Sequence, residues 1–519
     1  MTSEQICIMI AITVYLIGMV AIGIYWSKKN ENVGDFYLGG RKLGPFVTAM
    51  SAEASDMSSW LLMGLPGVAY LSGIADPTWT AIGLALGTYF NWLLVAKRIR
   101  IYSHEAQNSI TLPDFFSRRY RDEKNILMCI AAVVIIIFFI PYTASGFAAC
   151  GKLFSSLFGI DYQTAMIISA IVIVGYTATG GFSAASTTDF IQSIVMTIAL
   201  FVVVIFGVHV AGGLDIVMEN ARALPGYLSM IKMYVISSNS ETPYGFLTIC
   251  STAAWGLGYF GMPHVLLRFM AIEDKEKLAL SRRIATTWVV ISMIVAVFIG
   301  VVGYSMSKVG AIPVLEGSAS ETIIVQIANL LSQNGIAVAF LAGIILAGIL
   351  AATMSTSDSQ LLAASSSVSH NLLQTFFGIK MSEKKAMTVA RCSVIIISII
   401  AAFIARDPSS SVFGIVSFAW AGFGAAFGPV VLTALFWRRS NKYGALAGMI
   451  AGGSMVFIWK YLIRPMGGAW NIYELLPAFL ISMAAIIIVS LLTKAPEKEI
   501  TDEFDRVKAI YLSSKKKLS

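Results

Sequence analysis

Apolar residues along this chain fall in long uninterrupted runs instead of the three-to-four-residue spacing of soluble amphipathic helices. Runs of about 20 residues, the length of a helix that crosses a bilayer, are predicted near 5–26, 45–73, 77–97, 125–148, 162–181, 188–211, 244–264, 283–306, 335–365, 385–405, 411–437, 442–463 and 472–493. The pattern predicts an all-α polytopic membrane protein with about thirteen transmembrane helices, whose two ends lie on opposite faces. No separate soluble domain interrupts the runs. The longest polar stretches are a loop at 212–243 and the tail from 494.

Two spans break the apolar pattern at mid-membrane depth. The second carries "SAEASDMSSWLLMGLPG", with Asp56 ahead of Gly64, Pro66 and Gly67; the seventh carries "WGLGYFGMPH", with Gly256, Gly258, Gly261 and Pro263. Gly and Pro also serve plain helix packing in membranes. Their matched spacing, five spans apart, points instead to two five-helix units of opposite orientation whose broken helices meet at a binding site. The expected organisation is a first helix and inner loop (1–44), a first unit (45–211), an outer loop (212–243), a second unit (244–437), two C-terminal helices (438–493) and a basic tail (494–519).

Composition fits this reading: 57% of residues are hydrophobic and 13% charged. The net charge of +8 suggests a nucleic-acid partner until its placement is considered. With the N-terminus outside, only Lys152, Arg222, Lys232, Lys308, Arg406, Lys460 and Arg464 of the 37 basic residues fall in outer loops. The positive-inside rule therefore predicts N-out and C-in, a cell-membrane location and no nucleic acid. The first span is followed by "WSKKN", not a small-residue cleavage site, and is expected to be retained. Cys7, Cys129, Cys150, Cys250 and Cys392 are isolated and read as packing residues. The tail is amphipathic enough to lie on the anionic leaflet, and a solvated end is the other reading.

An ionisable residue inside a span is a functional candidate. Asp56 beside a helix break suits a hard cation, which takes oxygen ligands from unwound carbonyls and hydroxyls; it also suits capping of the following helix half. In the ninth span, "AATMSTSDSQLL", Ser355, Asp358 and Ser359 share one helix face with Thr356 beside it. Asp189 stands at the inner start of the sixth span, where solvation and function are both open. Trp255 and Tyr259 lie four apart on one face, and Tyr142 follows Pro141, which is expected to open the fourth span. An enzyme is not expected, because His104, His209, His264 and His370 are scattered without catalytic or metal-ligand spacing. A sensor lacks a signalling domain after residue 494, and no obligate protein partner is evident.

These residues resemble the solute:sodium symporter family, nearest to its sodium/proline members, through "YLGGRKLGPFVTAMSAEASDMSSWLLMGLPG", "TLPDFF", "WGLGYFGMPHVLLRFMA", "AATMSTSDSQLL" and "SFAWAGFGAAFGPVVL". The resemblance implies a LeuT-like inverted repeat, a five-plus-five core with one extra N-terminal and two extra C-terminal helices. It implies Na+-coupled uptake of L-proline by alternating access. On matching positions it places Na+ at Ala54, Met57, Ala352, Ser355 and Thr356, with Asp56 and Ser58 nearby. It places the solute at Tyr142, Trp255, Tyr259 and Pro263, and a gate at Arg41. A second cation is expected at Asp189, Ser355, Asp358 and Ser359. Glu53, Ser59, Met262 and Asp358 depart from the pattern, so another small amino acid, a betaine-like or carboxylate solute, or H+ coupling through Asp56 is the alternative.

Overall fold

The computed structural model describes residues 2–28 and 33–516; Lys29 of the first basic loop and Lys517 of the tail lie outside them. After α1 (Ser3–Ser27) and the short α2 (Val33–Leu38) comes the first broken segment, α3 (Pro45–Asp56) and α4 (Leu65–Ser72). Next are α5 (Ala75–Phe90), α6 (Lys97–Glu105), α7 (Leu112–Arg119), α8 (Ile126–Phe158), α9 (Tyr162–Val210) and α10 (Leu214–Arg222). The second broken segment is α11 (Phe246–Ala253), a 3-10 stretch over Ala254–Gly261, and α12 (Pro263–Ala271). The chain continues as α13 (Leu278–Lys308), α14 (Ile323–Ser332), α15 (Ile336–Ser366), α16 (Glu383–Ile404), α17 (Val412–Phe436), α18 (Lys442–Ile458), α19 (Leu475–Leu492) and α20 (Lys498–Lys516).

Among the described residues ten helices are long and apolar enough to cross a membrane. The second and seventh predicted spans do not reach that length, because each is built from shorter pieces. A spanning helix satisfies every backbone group internally, so a piece that stops early needs side chains to finish the job. The fifth and sixth run together as α9, and the chain turns at Gly181 (φ 71°, ψ −174°) without the predicted loop. Asp189 consequently lies well inside a helix and is fully buried, not solvated at a membrane interface. Pro141 does not open α8, which is helical from Ile126 to Phe158. The predicted loop 212–243 contains α10 and an antiparallel hairpin, β1 (Lys232–Val235) with β2 (Ser240–Pro243), in which Lys232 faces Pro243.

The two broken segments are joined at one end. Leu43 and Ile272 form a parallel bridge, with Leu43 N–H donating to the Ala271 carbonyl (3.2 Å) and Glu273 N–H to the Leu43 carbonyl (3.0 Å). Elsewhere small residues let helices approach closely. A Cβ on Gly444 would lie 2.0 Å from Ser490 Oγ, and one on Gly448 2.3 Å from Ile486 Cγ1, so α18 packs directly on α19.

Over its described residues the tail does not hang free in solvent. α20 docks on the protein: Arg121 Nη2 meets Glu503 (2.5 Å) and Glu499 (3.1 Å), Arg506 meets Glu105 (3.2 Å), and Arg438 meets Asp505 (3.0 Å). Exposed ion pairs contribute little. The stronger anchor is buried Phe504, whose ring sits 6.5 Å from that of Tyr102 and 5.5 Å from the Arg119 guanidinium. Phe504→Ala, at a cost of about 3 kcal/mol, is expected to free α20, so that trypsin cleaves after Lys508 at least about tenfold faster in the detergent-solubilised protein. Neutralising Arg438 is expected to change that rate less than about twofold.

Candidate functional site

The first broken segment stops at Asp56 because Met57 leaves helical geometry (φ −78°, ψ 74°). The orphan carbonyl of Asp56 accepts from Ser58 N–H (2.9 Å), Trp60 Nε1 (3.0 Å) and Tyr142 Oη (3.3 Å). The Asp56 side chain does not cap the helix half that follows. Its Oδ2 accepts from Tyr259 Oη (2.5 Å), while Ser58 Oγ takes the Trp60 N–H (3.3 Å). Asp56 Oδ1 is buried with no hydrogen-bond partner.

Facing this break, Ser355 Oγ reaches the Ala54 carbonyl at 2.7 Å and the Ala352 carbonyl at 3.1 Å. Thr356 Oγ1 beside it is buried without a partner. The end of α3 and α15 thus bring carbonyl and hydroxyl oxygens together, the kind of donor a hard cation takes. Met57 is buried in the same break, with its N–H on the Glu53 carbonyl (2.7 Å).

The aromatic residues close over the same break. Trp255 lies 6.1 Å from Trp60, 5.2 Å from Phe413 and 6.2 Å from Trp420, centroid to centroid, and Tyr259 meets Trp420 edge-on at 5.0 Å. Trp420 Nε1 donates to the Trp255 carbonyl (2.7 Å), and this approach requires glycine at 258, where a Cβ would fall 2.0 Å from Trp420 Nε1. Tyr142, Trp255 and Tyr259 are therefore brought together around Asp56. Pro263 is buried at the first position of α12, next to the fully buried Met262. Arg41 is at the end where the broken segments are bridged, donating to the carbonyls of Met270 (2.6 Å) and Ser109 (2.7 Å), to Asn108 Oδ1 (2.9 Å) and to Ser103 Oγ (3.1 Å).

Glu53, noted in the sequence only as a departure from the family pattern, and Arg268, which sequence reasoning passed over, belong to this region. Glu53 is buried one helical turn before Asp56; its Oε1 accepts from Trp92 Nε1 (2.8 Å) and its Oε2 has no partner. Arg268 is 1% exposed and stands among the acids read as a second cation site. Its Nη2 donates to Asp189 Oδ2 (3.1 Å) and Ser359 Oγ (2.5 Å), and its Nε to Ser51 Oγ (3.0 Å). Ser51 Oγ donates to Asp189 (2.6 Å), and Ser359 Oγ also lies 3.2 Å from Asp358 Oδ1. The signal was present: the rule that flags Asp358, a charge within an apolar run, flags the arginine of "PHVLLRFMA" equally.

Removing one partner of a buried ion pair costs about 3–5 kcal/mol, because the other charge stays buried. Arg268→Gln is expected to lower the thermal midpoint sharply, and Arg268→Gln with Asp189→Asn to recover at least about half of the loss. Additive losses in thermal unfolding of the purified proteins would show that the pair is not coupled.

The model of the sodium:solute symporter family matches residues 36–452. The chain is 42% identical to a sodium/proline symporter of Haemophilus influenzae, over 98% of this chain and 99% of that one. It is 40% identical to the osmoregulated proline transporter OpuE of Bacillus subtilis, over 95% and 96%. Among solved structures, a Na+-coupled sialic acid symporter in a substrate-bound, outward-open state superposes with a TM-score of 0.76 at 18% identity, covering 95% of this chain and 99% of that one. The fold is thus that of the LeuT-like Na+-coupled symporters. With Na+ as the coupling ion, this multi-pass membrane protein belongs to the sodium:solute symporter family.

Proposed function

We propose that the chain carries L-proline into the cell together with Na+, by alternating access. The observation that carries this reading is the junction of the broken segment with α15. There Ser355 Oγ spans to the Ala54 carbonyl at 2.7 Å, while Asp56 Oδ1 two residues on and Thr356 Oγ1 next in sequence to Ser355 are buried and unpartnered. Na+ is cargo at Ala54, Met57, Ala352, Ser355 and Thr356, with Asp56 and Ser58 close by. A cation there offsets the buried Asp56 carboxylate and draws α3 and α15 together. Asp56 also holds Tyr259 through its carboxylate and Tyr142 through its carbonyl, so filling the cation site orders two walls of the solute pocket. That is a positive coupling of the two ligands.

The relatives' names support proline as the solute, and their being transporters supports a carrier over an enzyme. The charge asymmetry of the loops supports a cell-membrane protein with the N-terminus outside and the C-terminus in the cytoplasm. Residues 45–211 and 244–437 form the two inverted units, Tyr142, Trp255, Tyr259 and Pro263 line the solute site, and Arg41 closes its inner end. Each Na+ moving inward gains about 2.3 kcal/mol per 100 mV of membrane potential, whereas the proline zwitterion adds no net charge.

The test is radiolabelled L-proline uptake into proteoliposomes with and without an inward Na+ gradient. Wild type is expected to accumulate proline only with Na+, and Asp56→Asn to lose accumulation. Ser355→Ala is expected to raise the Na+ concentration for half-maximal uptake about tenfold, the effect of one lost oxygen ligand. Uptake that ignores Na+ would overturn the reading; Na+-driven uptake of a different solute would keep the coupling and replace proline.

A second cation at Asp189, Ser355, Asp358 and Ser359 requires Arg268 to withdraw from Asp189 and Ser359, since its guanidinium stands between them. The expected mark is a Hill coefficient for Na+ above one in wild type that falls to about one in Asp358→Ser. A coefficient of one in both proteins would count against the second site.

A further inference from the structure

Tyr473 lies in the loop between α18 and α19, outside both broken segments, yet its ring lies against Trp255. The two centroids are 5.1 Å apart with the planes tilted by only 21°, the closest of the ring contacts to Trp255 described above and the most nearly parallel. Three elements hold Tyr473 in place: its N–H donates to Ser251 Oγ of α11 (2.6 Å), its Oη donates to the Ser417 carbonyl of α17 (2.6 Å), and its ring covers the 3-10 stretch. The next residue, Glu474, is fully buried and paired with Arg464 (3.0 Å), with Lys460 at 4.0 Å. Arg464 also donates to Asn471 Oδ1 (3.1 Å), which pins the other side of the loop. Behind this loop, α18 and α19 are closely packed through Gly444 and Gly448. An aromatic side chain with a rigid support thus approaches the aromatic wall from the bundle end opposite Arg41.

Trp255 is only 4% exposed in this conformation. Its neighbours are Trp60, Phe413, Trp420 and Tyr473; Phe413 and Trp420 belong to α17 and Trp60 to the first broken segment. Tyr473 is the ring neighbour carried on a loop, where two hydrogen bonds hold it. A hydrophobic ring pair of this geometry is worth enough to shift a binding constant by about tenfold and little enough to open thermally.

We propose that Tyr473 is a specificity-determining residue of the transporter, a lid contributed by the C-terminal helix pair. It limits the size of the solute that packs against Trp255. This rests on the reading of Trp255 as a wall of the solute pocket. Because the two rings are already in contact, a larger solute packs against Trp255 only at the cost of that stacking contact, which favours a compact one.

The experiment uses the full-length protein in proteoliposomes. Uptake of L-proline and of its six-membered-ring homologue, pipecolate, is measured under a Na+ gradient for wild type, Tyr473→Ala, Tyr473→Leu, Tyr473→Phe and Trp255→Leu. Tyr473→Ala is expected to raise the KM for proline about tenfold with Vmax within about threefold, and to shift the kcat/KM ratio toward pipecolate by at least about fivefold. Tyr473→Phe, which keeps the ring, is expected to restore the wild-type ratio. Half-saturation by Na+, measured at saturating proline, is expected to stay within about twofold in the Tyr473 variants, which a general loss of structure would not leave intact. Should Tyr473→Ala fail to fold, Tyr473→Leu carries the same expectation. If Trp255→Leu alters KM and the Tyr473 variants leave both KM and selectivity unchanged, the lid is overturned and the pocket stands. If Trp255→Leu also leaves KM unchanged, the pocket reading itself fails.

Discussion

A helix that ends inside a membrane exposes backbone carbonyls where no water can reach them, and the organisation around Asp56 follows from that constraint. The Asp56 carbonyl takes donors from its own segment and from Tyr142 on α8, and its carboxylate takes Tyr259 from the other broken segment. The neighbouring Ala54 carbonyl takes Ser355 from α15. The interruption of one helix is therefore repaired by residues from three others. The same repair gathers oxygen atoms and aromatic walls at one point, so binding chemistry and backbone satisfaction use the same atoms.

Two buried ion pairs each join different elements. Arg268 on α12 meets Asp189 on α9, and Lys152 on α8 meets Glu321 (2.6 Å) in the segment before α14. Glu321 also accepts the backbone N–H groups of Val412 and Phe413 at the start of α17, satisfying the free donors of that helix end. Such pairs are poor sources of net stability, since desolvation consumes most of the attraction. What they supply is registry: each fixes how two helices sit relative to one another, and each must be exchanged if those helices move.

Much of this was legible in the sequence, and for physical reasons. Long apolar runs announce spanning helices because hydrocarbon tolerates little else, and Gly and Pro beside Asp56 and Pro263 announce breaks because intact helices disfavour both. Ser355, near Ala352 and Thr356 on one helix, could be assigned to a cation site from resemblance. Three features were not legible. α9 turns at a single glycine, Gly181, inside a polar stretch that imitates a loop, which moved Asp189 from an interface into the interior. α20 looked like a membrane-surface helix because amphipathicity states that one face is covered and not what covers it; here Phe504 is covered by Tyr102 and Arg119. Tyr473 sits in an ordinary polar loop, and nothing local distinguishes it from a tyrosine at a lipid interface. What sets it apart is contact with Trp255 and Ser417, which belong to other elements far away along the chain.

The backbone bridge between Leu43 and Ile272 bears on how such a molecule can move. Two hydrogen bonds between main chains are indifferent to side-chain substitution, so this joint cannot be tuned by exchanging one residue for another. It makes the entry of the first broken segment and the exit of the second a single mechanical part. Rotation of that part carries Arg41 with it, because Arg41 lies two residues before the joint and grips the Met270 carbonyl on its other strand. The Arg41 contacts to Ser103 on α6 and to Asn108 and Ser109 beyond it are made by its side chain alone, a seam whose parting would cost no main-chain pairing.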